Sequence, residues 1–127
     1  MQEINIPEIV AEVTAAFMRY EAALGSNDLD VIDTLFWDNP LTLRYGPNGT
    51  LLSHRAISDF RRARDITGVE RTLQNTIITT YGRDFATANT ESTRPRSTAI
   101  GRQSQTWARM TDGWKIVSAH VSDYVSD

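Results

Sequence analysis

The sequence contains no cysteine, and of its thirteen basic residues only Lys115 is lysine. Without thiols the chain can form neither disulfides nor thiolate metal ligands, and nothing indicates an oxidising compartment. The first residues carry acids rather than the basic residues of a signal peptide, and no apolar run reaches membrane-spanning length. We therefore expect a cytoplasmic protein that has no membrane partner.

Recognisable metal, nucleotide and nucleophile motifs are also missing. The two histidines, His54 and His120, lie far apart in the chain, and no carboxylates are paired at ligand spacing, which argues against zinc. The chain has no nucleophile elbow, no glycine-rich phosphate loop and no lysine placed for a Schiff base. Its net charge of −3, without a basic stripe, argues against nucleic acid. We predict no metal, no cofactor and no nucleic-acid partner.

Arginine is what the chain has in place of lysine. Its planar fork of donors suits carboxylates, so the bias fits an anionic small molecule as ligand. A GC-rich genome produces the same bias, and composition alone leaves both explanations open.

At 127 residues the chain has the length of one domain with one core, which we assign to residues 1–127. Pro7 can open a first helix, in which apolar residues recur at three- and four-residue steps until Gly25. Asn27 or Asp28 can cap a second helix, which ends before Pro40. Two amphipathic helices are therefore predicted before the first strand.

The segment that follows combines a short strand, Leu41–Gly46, with a third helix capped by Ser53. The spacing predicts that Ile57, Phe60 and Ala63 face inward. The arginines of this helix are expected to face mostly outward: Arg55, Arg61, Arg62 and Arg64.

From Val69 onward the period changes to two, which predicts four long strands joined as a meander. Turn signals lie at Gly82–Asp84 and at Asp112–Gly113, and a polar loop separates the second and third of these strands. The order of elements predicts an α+β fold in which the N-terminal helices cover one face of an antiparallel sheet.

The closing segment "TWARMTDGWKIVSAHVS" resembles the last hairpin of the nuclear-transport-factor-two-like superfamily, also called cystatin-like or SnoaL-like. The resemblance covers essentially the whole chain. It implies a cone, in which a strongly curved sheet wraps around the long first helix and the mouth of the cone is a pocket. Enzymes and binding modules share this fold, so the fold does not identify a reaction.

A narrower resemblance rests on "EVTAAFMRYEAALGSNDLDVIDTLFWDNPLTLRYG", "HRAISDFRRAR", "TTYGRDFATANTE" and "GRQSQTWARM". These segments are similar to the AtzH-like proteins, which are encoded beside amidohydrolases of oxalurate and cyanuric acid catabolism. The resemblance implies a metal-free amidohydrolase that decarboxylates 1,3-dicarboxyurea to allophanate.

Arg44 is the first candidate site residue. Strand alternation places Thr42, Arg44 and Gly46 on one side of the first strand. A buried guanidinium needs an anion, which can be a substrate carboxylate or an acid such as Glu21 or Glu91. The resemblance implies that Arg44 lies on the pocket wall and binds substrate.

Tyr20 is the second candidate. It lies on the apolar stripe of the first helix, where phenylalanine would suffice for packing, and a buried hydroxyl normally has a partner. It is either a core tyrosine or a site residue, and the resemblance implies that it takes part in catalysis beside Arg44. A phenol near a guanidinium can donate or accept a proton.

Four residues of the later strands are predicted to bind substrate: Asn89, Glu91, Gln105 and His120. Alternation puts Asn89 and Glu91 on one face, although it does not say whether that face is concave. His120 is either a general base or a structural or interface residue.

The predicted partners are a small anionic ureido substrate and further copies of the chain. Ile77, Ile78 and Ile116 are expected on the convex face, where they would support a dimer or higher homo-oligomer. The alternative function is a non-catalytic accessory that binds a ureido acid or an amidase of the same pathway. A third reading, an isomerase or dehydratase for an apolar ligand, is disfavoured by the expected arginine lining.

Overall fold

The computed structural model describes residues 3–64 and 70–125. Within these ranges the elements are α1 Pro7–Ser26, α2 Leu29–Leu35, β1 Leu43–Gly46, β2 Gly49–Leu52, α3 His54–Ala63, β3 Thr72–Tyr81, β4 Phe85–Thr93, β5 Ala99–Met110 and β6 Gly113–Val125. The predicted order is confirmed, with one addition. The turn after β1 leads into β2 and forms a hairpin, where the sequence predicted a single strand.

The strands form one curved, unclosed sheet in the order β2-β1-β6-β5-β4-β3. Strands β3 to β6 make the predicted antiparallel meander. β1 joins it in parallel with β6, an exception to the predicted antiparallel sheet, and its register pairs Arg44 with Ala119. Irregular pairing between β3 and β4 and between β5 and β6 marks bulges, which bend strands. The predicted α+β fold, a curved sheet around a long N-terminal helix, is confirmed.

Local signals set the helix ends much as predicted. Pro7 occupies the first turn of α1. The helix continues one residue past Gly25, to Ser26, because Asn27 takes the left-handed conformation, with φ 54° and ψ 42°. Asp28 caps α2 by accepting a hydrogen bond from a backbone N–H, and Ser53 caps α3 in the same way.

The core lies between α1 and one face of the sheet, which we call the inner face. Phe17 of α1 and Trp107 of β5 are fully buried there, and burying one such side chain contributes roughly 2–3 kcal/mol. The inner face of β4 carries small residues such as Ala88, so the helix can pack closely. The opposite, outer face carries Phe85, which is 59% exposed.

Four predicted orientations are wrong. Arg61 is buried, and Ala63 is exposed. Ile116 is fully buried in the core and Ile78 packs against it, so neither lies on the convex face. Of the isoleucines expected there, only Ile77 is exposed. The apolar surface available for self-association is therefore smaller than expected, and the homo-oligomer stays a prediction. Val69, where the strand pattern was predicted to begin, lies outside the described residues.

Candidate functional site

A cavity of about 350 Å³ opens beside the inner face, between the β1–β2 turn, α3 and the ends of β4, β5 and β6. Its volume suits a small molecule. Asp123 is the one carboxylate among its described lining residues. The arginines that line it are Arg44, Arg64, Arg71, Arg94 and Arg102.

Arg44 extends from the middle of β1 into this cavity, as the resemblance implied. Its guanidinium lies 5.5 Å from the ring centroid of Phe60 and against the backbone of Gly46, where a Cβ would stand 3.0 Å from Nη1. Burial lowers the pKa of Arg44, and the nearby charges of Arg61 and Arg64 lower it further, while Tyr20 opposes them. Within residues 3–64 and 70–125, no carboxylate forms an ion pair with Arg44.

Neither acid proposed as a structural partner for Arg44 is available to it. Glu21 binds Arg71, whose Nη2 lies 2.6 Å from Oε1 of the glutamate. Glu91 lies on the outer face and accepts hydrogen bonds from Gln74 and Asn75. The predicted ion pairs of Arg44 with Glu21 and with Glu91 are therefore both wrong.

Arg64 adds a second guanidinium whose charge the described residues leave unbalanced. It contacts the ring of Phe60 at 5.8 Å, and its buried Nε has no hydrogen-bond partner in the part of the chain that the structure describes. Burial and the charge of Arg61 lower the pKa of Arg64, with smaller changes from Tyr20 and from further arginines. Arg44 and Arg64 thus meet at one aromatic ring without a described counter-ion.

Arg71 differs from these two because its charge is balanced. Its ion pair with Glu21 is nearly buried, with side chains 11% and 10% exposed. Arg71 also donates a hydrogen bond to Oε1 of Gln103 at 3.2 Å. This leaves Nε2 of Gln103 buried without a partner in the described structure. The pair fixes one wall of the cavity and does not leave a free cation there.

Tyr20 is not among the residues that line the cavity, and only 3% of it is exposed. Its Oη accepts a hydrogen bond of 2.9 Å from Nη2 of Arg61, and its ring meets the ring of Phe36 edge to face. The guanidinium of Arg61 also lies over the Tyr20 and Phe36 rings, at 5.8 and 5.6 Å. Arg61 contacts Tyr20, and the charges of Arg61 and Tyr20 both act on the pKa of Arg44, in opposite directions.

Three of the predicted substrate-binding residues lie elsewhere. Asn89 and Glu91 point to the outer face of β4, because Ala88 and Thr90 take the inner positions. His120 lies on the outer face of β6, where its ring meets Tyr45 at 5.8 Å. The expectation that these residues share a cavity with Arg44 is corrected, since the sheet separates them from it.

Gln105 does point to the inner face, where it is 2% exposed. Its Oε1 accepts a hydrogen bond from the indole N–H of Trp107 at 3.1 Å. This contact belongs to the core rather than to the cavity lining. Substrate binding by Gln105 stays a prediction without support from its position.

The arginines of α3 were predicted to face solvent, but the sequence contains a signal that two of them face inward. Ile57, Arg61 and Arg64 are spaced by four and three residues, which places them on one face of a helix. The buried Ile57 fixes that face towards the core. The apolar stripe of α3 therefore also carries two inward guanidinium groups.

Across residues 3–64 and 70–125, no group of three or more His, Cys, Asp or Glu side chains is arranged to hold a metal ion. None of the described helices has both the length and the apolar character needed to span a membrane.

Comparison with known proteins identifies the family of the chain. A family model described as AtzH-like matches residues 2–127. A structure of a protein of unknown function from the DUF3225 family of Pectobacterium atrosepticum is 53% identical, with a TM-score of 0.94, covering 95% of this chain and 94% of the other. A cystatin-like fold protein from Burkholderia xenovorans is 45% identical, with a TM-score of 0.95 and complete coverage of both chains.

More distant structures share the fold. A nuclear transport factor 2-like superfamily protein from Salmonella enterica is 26% identical, with a TM-score of 0.72, covering 94% of this chain and 93% of the other. Among curated proteins none matches the chain.

Proposed function

The chain belongs to the AtzH-like family, and from that premise we propose that it is a decarboxylating amidohydrolase acting on a carboxylated urea. Membership of this family suggests a role in the cyanuric acid pathway. The substrate we propose is 1,3-dicarboxyurea and the product is allophanate. The reaction would use side chains of the protein alone.

The observation that carries this proposal is the unbalanced positive charge in the cavity. Arg44 and Arg64 face it without a described ion pair, and burial lowers the pKa of both. A buried cation is costly unless an anion accompanies it. A dianion with two terminal carboxylates supplies one negative charge for each of these guanidinium groups.

The chemistry requires few groups. One bond breaks, between a terminal carboxylate carbon and a urea nitrogen, and the carboxylate leaves as carbon dioxide. The electron pair of the broken bond stays on the nitrogen, which takes up one proton to give allophanate. Holding the charges in place and supplying that proton are therefore the tasks left to the protein.

We assign these tasks to Arg44 and Tyr20. The guanidinium of Arg44 can bind the carboxylate of the substrate through paired N–H donors. Tyr20, which interacts electrostatically with Arg44, would supply the proton from Oη, directly or through one water molecule. Solvent then returns a proton to the phenol.

The proposal is tested by following 1,3-dicarboxyurea with purified protein alone. We expect conversion to allophanate and carbon dioxide at a rate well above the spontaneous reaction. In Tyr20→Phe, which retains the ring and its packing, we expect kcat to fall about 100-fold, the usual contribution of a proton donor. A near-normal rate in this folded variant would refute the role of Tyr20.

The wild-type rate also distinguishes an enzyme from the alternative function, a non-catalytic accessory protein. If the protein binds the substrate without turnover and co-purifies with an amidase, it is an accessory protein and the proposal is wrong.

A further inference from the structure

The best-buried cation of the described structure is neither in the cavity lining nor in an ion pair. Arg61 is 3% exposed, its Nε is buried without a partner, and no described carboxylate forms an ion pair with it. Its one hydrogen bond to a side chain goes to Oη of Tyr20. A cation held in this way costs stability compared with an apolar residue of the same size. Structural packing alone therefore does not account for an arginine at this position.

The direction of the hydrogen bond between Arg61 and Tyr20 follows from the chemistry of the two groups. A guanidinium has only donors, so the 2.9 Å contact makes Tyr20 the acceptor. A phenol has one hydrogen, and that hydrogen cannot point towards Arg61. It is left for a different acceptor, and none is found for it among the described protein groups.

The position of Arg61 on α3 connects this contact to the cavity. The cavity is lined by Phe60, the residue before Arg61, and by Arg64, three residues after it. Arg61 itself is buried and does not line the cavity. The Arg61 charge also lowers the pKa of both cavity arginines, Arg44 and Arg64. Arg61 thus contacts the proposed proton donor and acts electrostatically on the proposed carboxylate-binding groups.

We infer that Arg61 is a positioning residue that fixes Tyr20 as a donor, so that the phenol gives its hydrogen to the substrate and does not act as a base. This inference rests on the proposed function. As the C–N bond of the substrate breaks, the O–H proton of Tyr20 moves to the leaving nitrogen. The phenolate oxygen that remains lies beside the guanidinium of Arg61, which stabilises its charge until solvent returns the proton.

The first test is a double-mutant cycle with Tyr20→Phe and Arg61→Met. If Arg61 acts through Tyr20, each single variant lowers kcat about 100-fold, and the double variant is lower by no more than about two-fold again. Arg61→Lys, which retains a charged donor, should recover part of kcat. KM should change less than kcat, because Arg61 does not touch the substrate. If Arg61→Met lowers kcat by the same factor in wild type and in Tyr20→Phe, the role of Arg61 is merely structural and the inference is wrong.

The neighbouring residue supplies a matched control. Arg62→Met removes an arginine one position along the same helix, from an exposed site, and should leave kcat unchanged. If Arg62→Met lowers kcat as much as Arg61→Met, the effect belongs to the helix rather than to the contact with Tyr20, and the inference is wrong.

A second readout does not depend on turnover or on an Arg61 variant. The tyrosine Fermi doublet in the Raman spectrum reports whether a phenol accepts or donates hydrogen bonds. The difference between wild type and Tyr20→Phe isolates Tyr20, and we expect an acceptor signature in the ligand-free protein. A donor-only signature would overturn the inference. Absence of turnover in wild type would refute the proposed function alone, and the Raman result would still decide the role of Arg61.

Discussion

Arg61 and Arg62 are adjacent in the sequence and lie in opposite environments. Arg62 is exposed and binds two carboxylates, with Nη2 2.7 Å from Asp33 and 3.2 Å from Asp30, and hydrogen bonds to these acids raise its pKa. Arg61 is buried against Tyr20, without a described acid. One helix thus carries a cation balanced by acids on its outer side and one without a counter-charge on its inner side.

The same contrast separates Arg44 from Arg109. Arg109 reaches Glu12 at 3.1 Å and Asp84 at 3.4 Å, and it also donates to a backbone carbonyl. Arg44 lies over the ring of Phe60 and against the backbone of Gly46, and it forms no ion pair with a carboxylate of the described residues. The balanced arginines hold elements of the fold together. Two arginines without a described counter-ion, Arg44 and Arg64, line the cavity, and we propose that their counter-ion is a ligand.

The largest effect on kcat/KM is expected when an arginine without a described counter-ion is removed from the cavity. Arg44→Met should lower kcat/KM on 1,3-dicarboxyurea at least about 100-fold, because charge-assisted hydrogen bonds to a carboxylate are lost. Arg44→Lys should lower kcat/KM about 10-fold, since lysine retains the charge without the planar fork of donors. Arg62→Met is the control from the balanced class and should match wild type. Equal kinetics of all three variants would refute the contrast.

A smaller effect is expected when the Arg44 side chain is displaced rather than removed. A Cβ at Gly46 would lie 3.0 Å from Nη1 and 3.5 Å from Cζ of Arg44. Gly46→Ala should therefore shift the guanidinium by a few tenths of an ångström and lower kcat/KM about 10-fold.

Because the displaced atoms are the end of a flexible side chain, the free energy of unfolding of Gly46→Ala should stay within about 0.5 kcal/mol of wild type, measured by denaturant titration. Gly25→Ala is the matched control, since a Cβ there meets nothing within 4 Å. A Gly46→Ala enzyme as active as Gly25→Ala would show that the position of Arg44 is unimportant.

The smallest effect is expected on the outer face. The carboxylate of Glu91 accepts hydrogen bonds from Gln74 and Asn75 of the neighbouring strand, across the sheet from the cavity. Glu91→Gln should change kcat/KM by less than about two-fold, as is usual for surface substitutions. A ten-fold loss in steady-state kinetics would mean that the outer face takes part in the reaction.

The order of the elements could be predicted from the sequence because helix and strand periods are local properties. The face of each strand could not. On β4 the inner positions hold small residues such as Ala86 and Ala88, while the large Phe85 points outward. Hydrophobicity therefore suggests the wrong face, and only the close packing of α1 explains the pattern. Asn89 and Glu91 were candidates because they are the larger polar residues of one face, and strand alternation left open whether that face was the concave one.

The resemblance predicted the position of Arg44, whereas the roles of Arg44 and Tyr20 in a reaction stay predictions. Arg44 was expected at the pocket wall and lies there. Tyr20 was expected beside it and acts electrostatically on it, but Tyr20 does not line the cavity, and its part in catalysis stays a prediction. Arg61 was assigned to solvent because arginines on helices usually face water, although its spacing from Ile57 placed it on the buried side.

The most direct test of the central claim, that the unbalanced arginines await a dicarboxylate, is a calorimetric titration with glutarate. Glutarate holds two carboxylates at the separation found in 1,3-dicarboxyurea and has no C–N bond to break. We expect wild type to bind one glutarate per chain, more tightly than butyrate, and Arg44→Met to bind glutarate about 100-fold more weakly. Equal affinity of wild type and Arg44→Met for glutarate would contradict it.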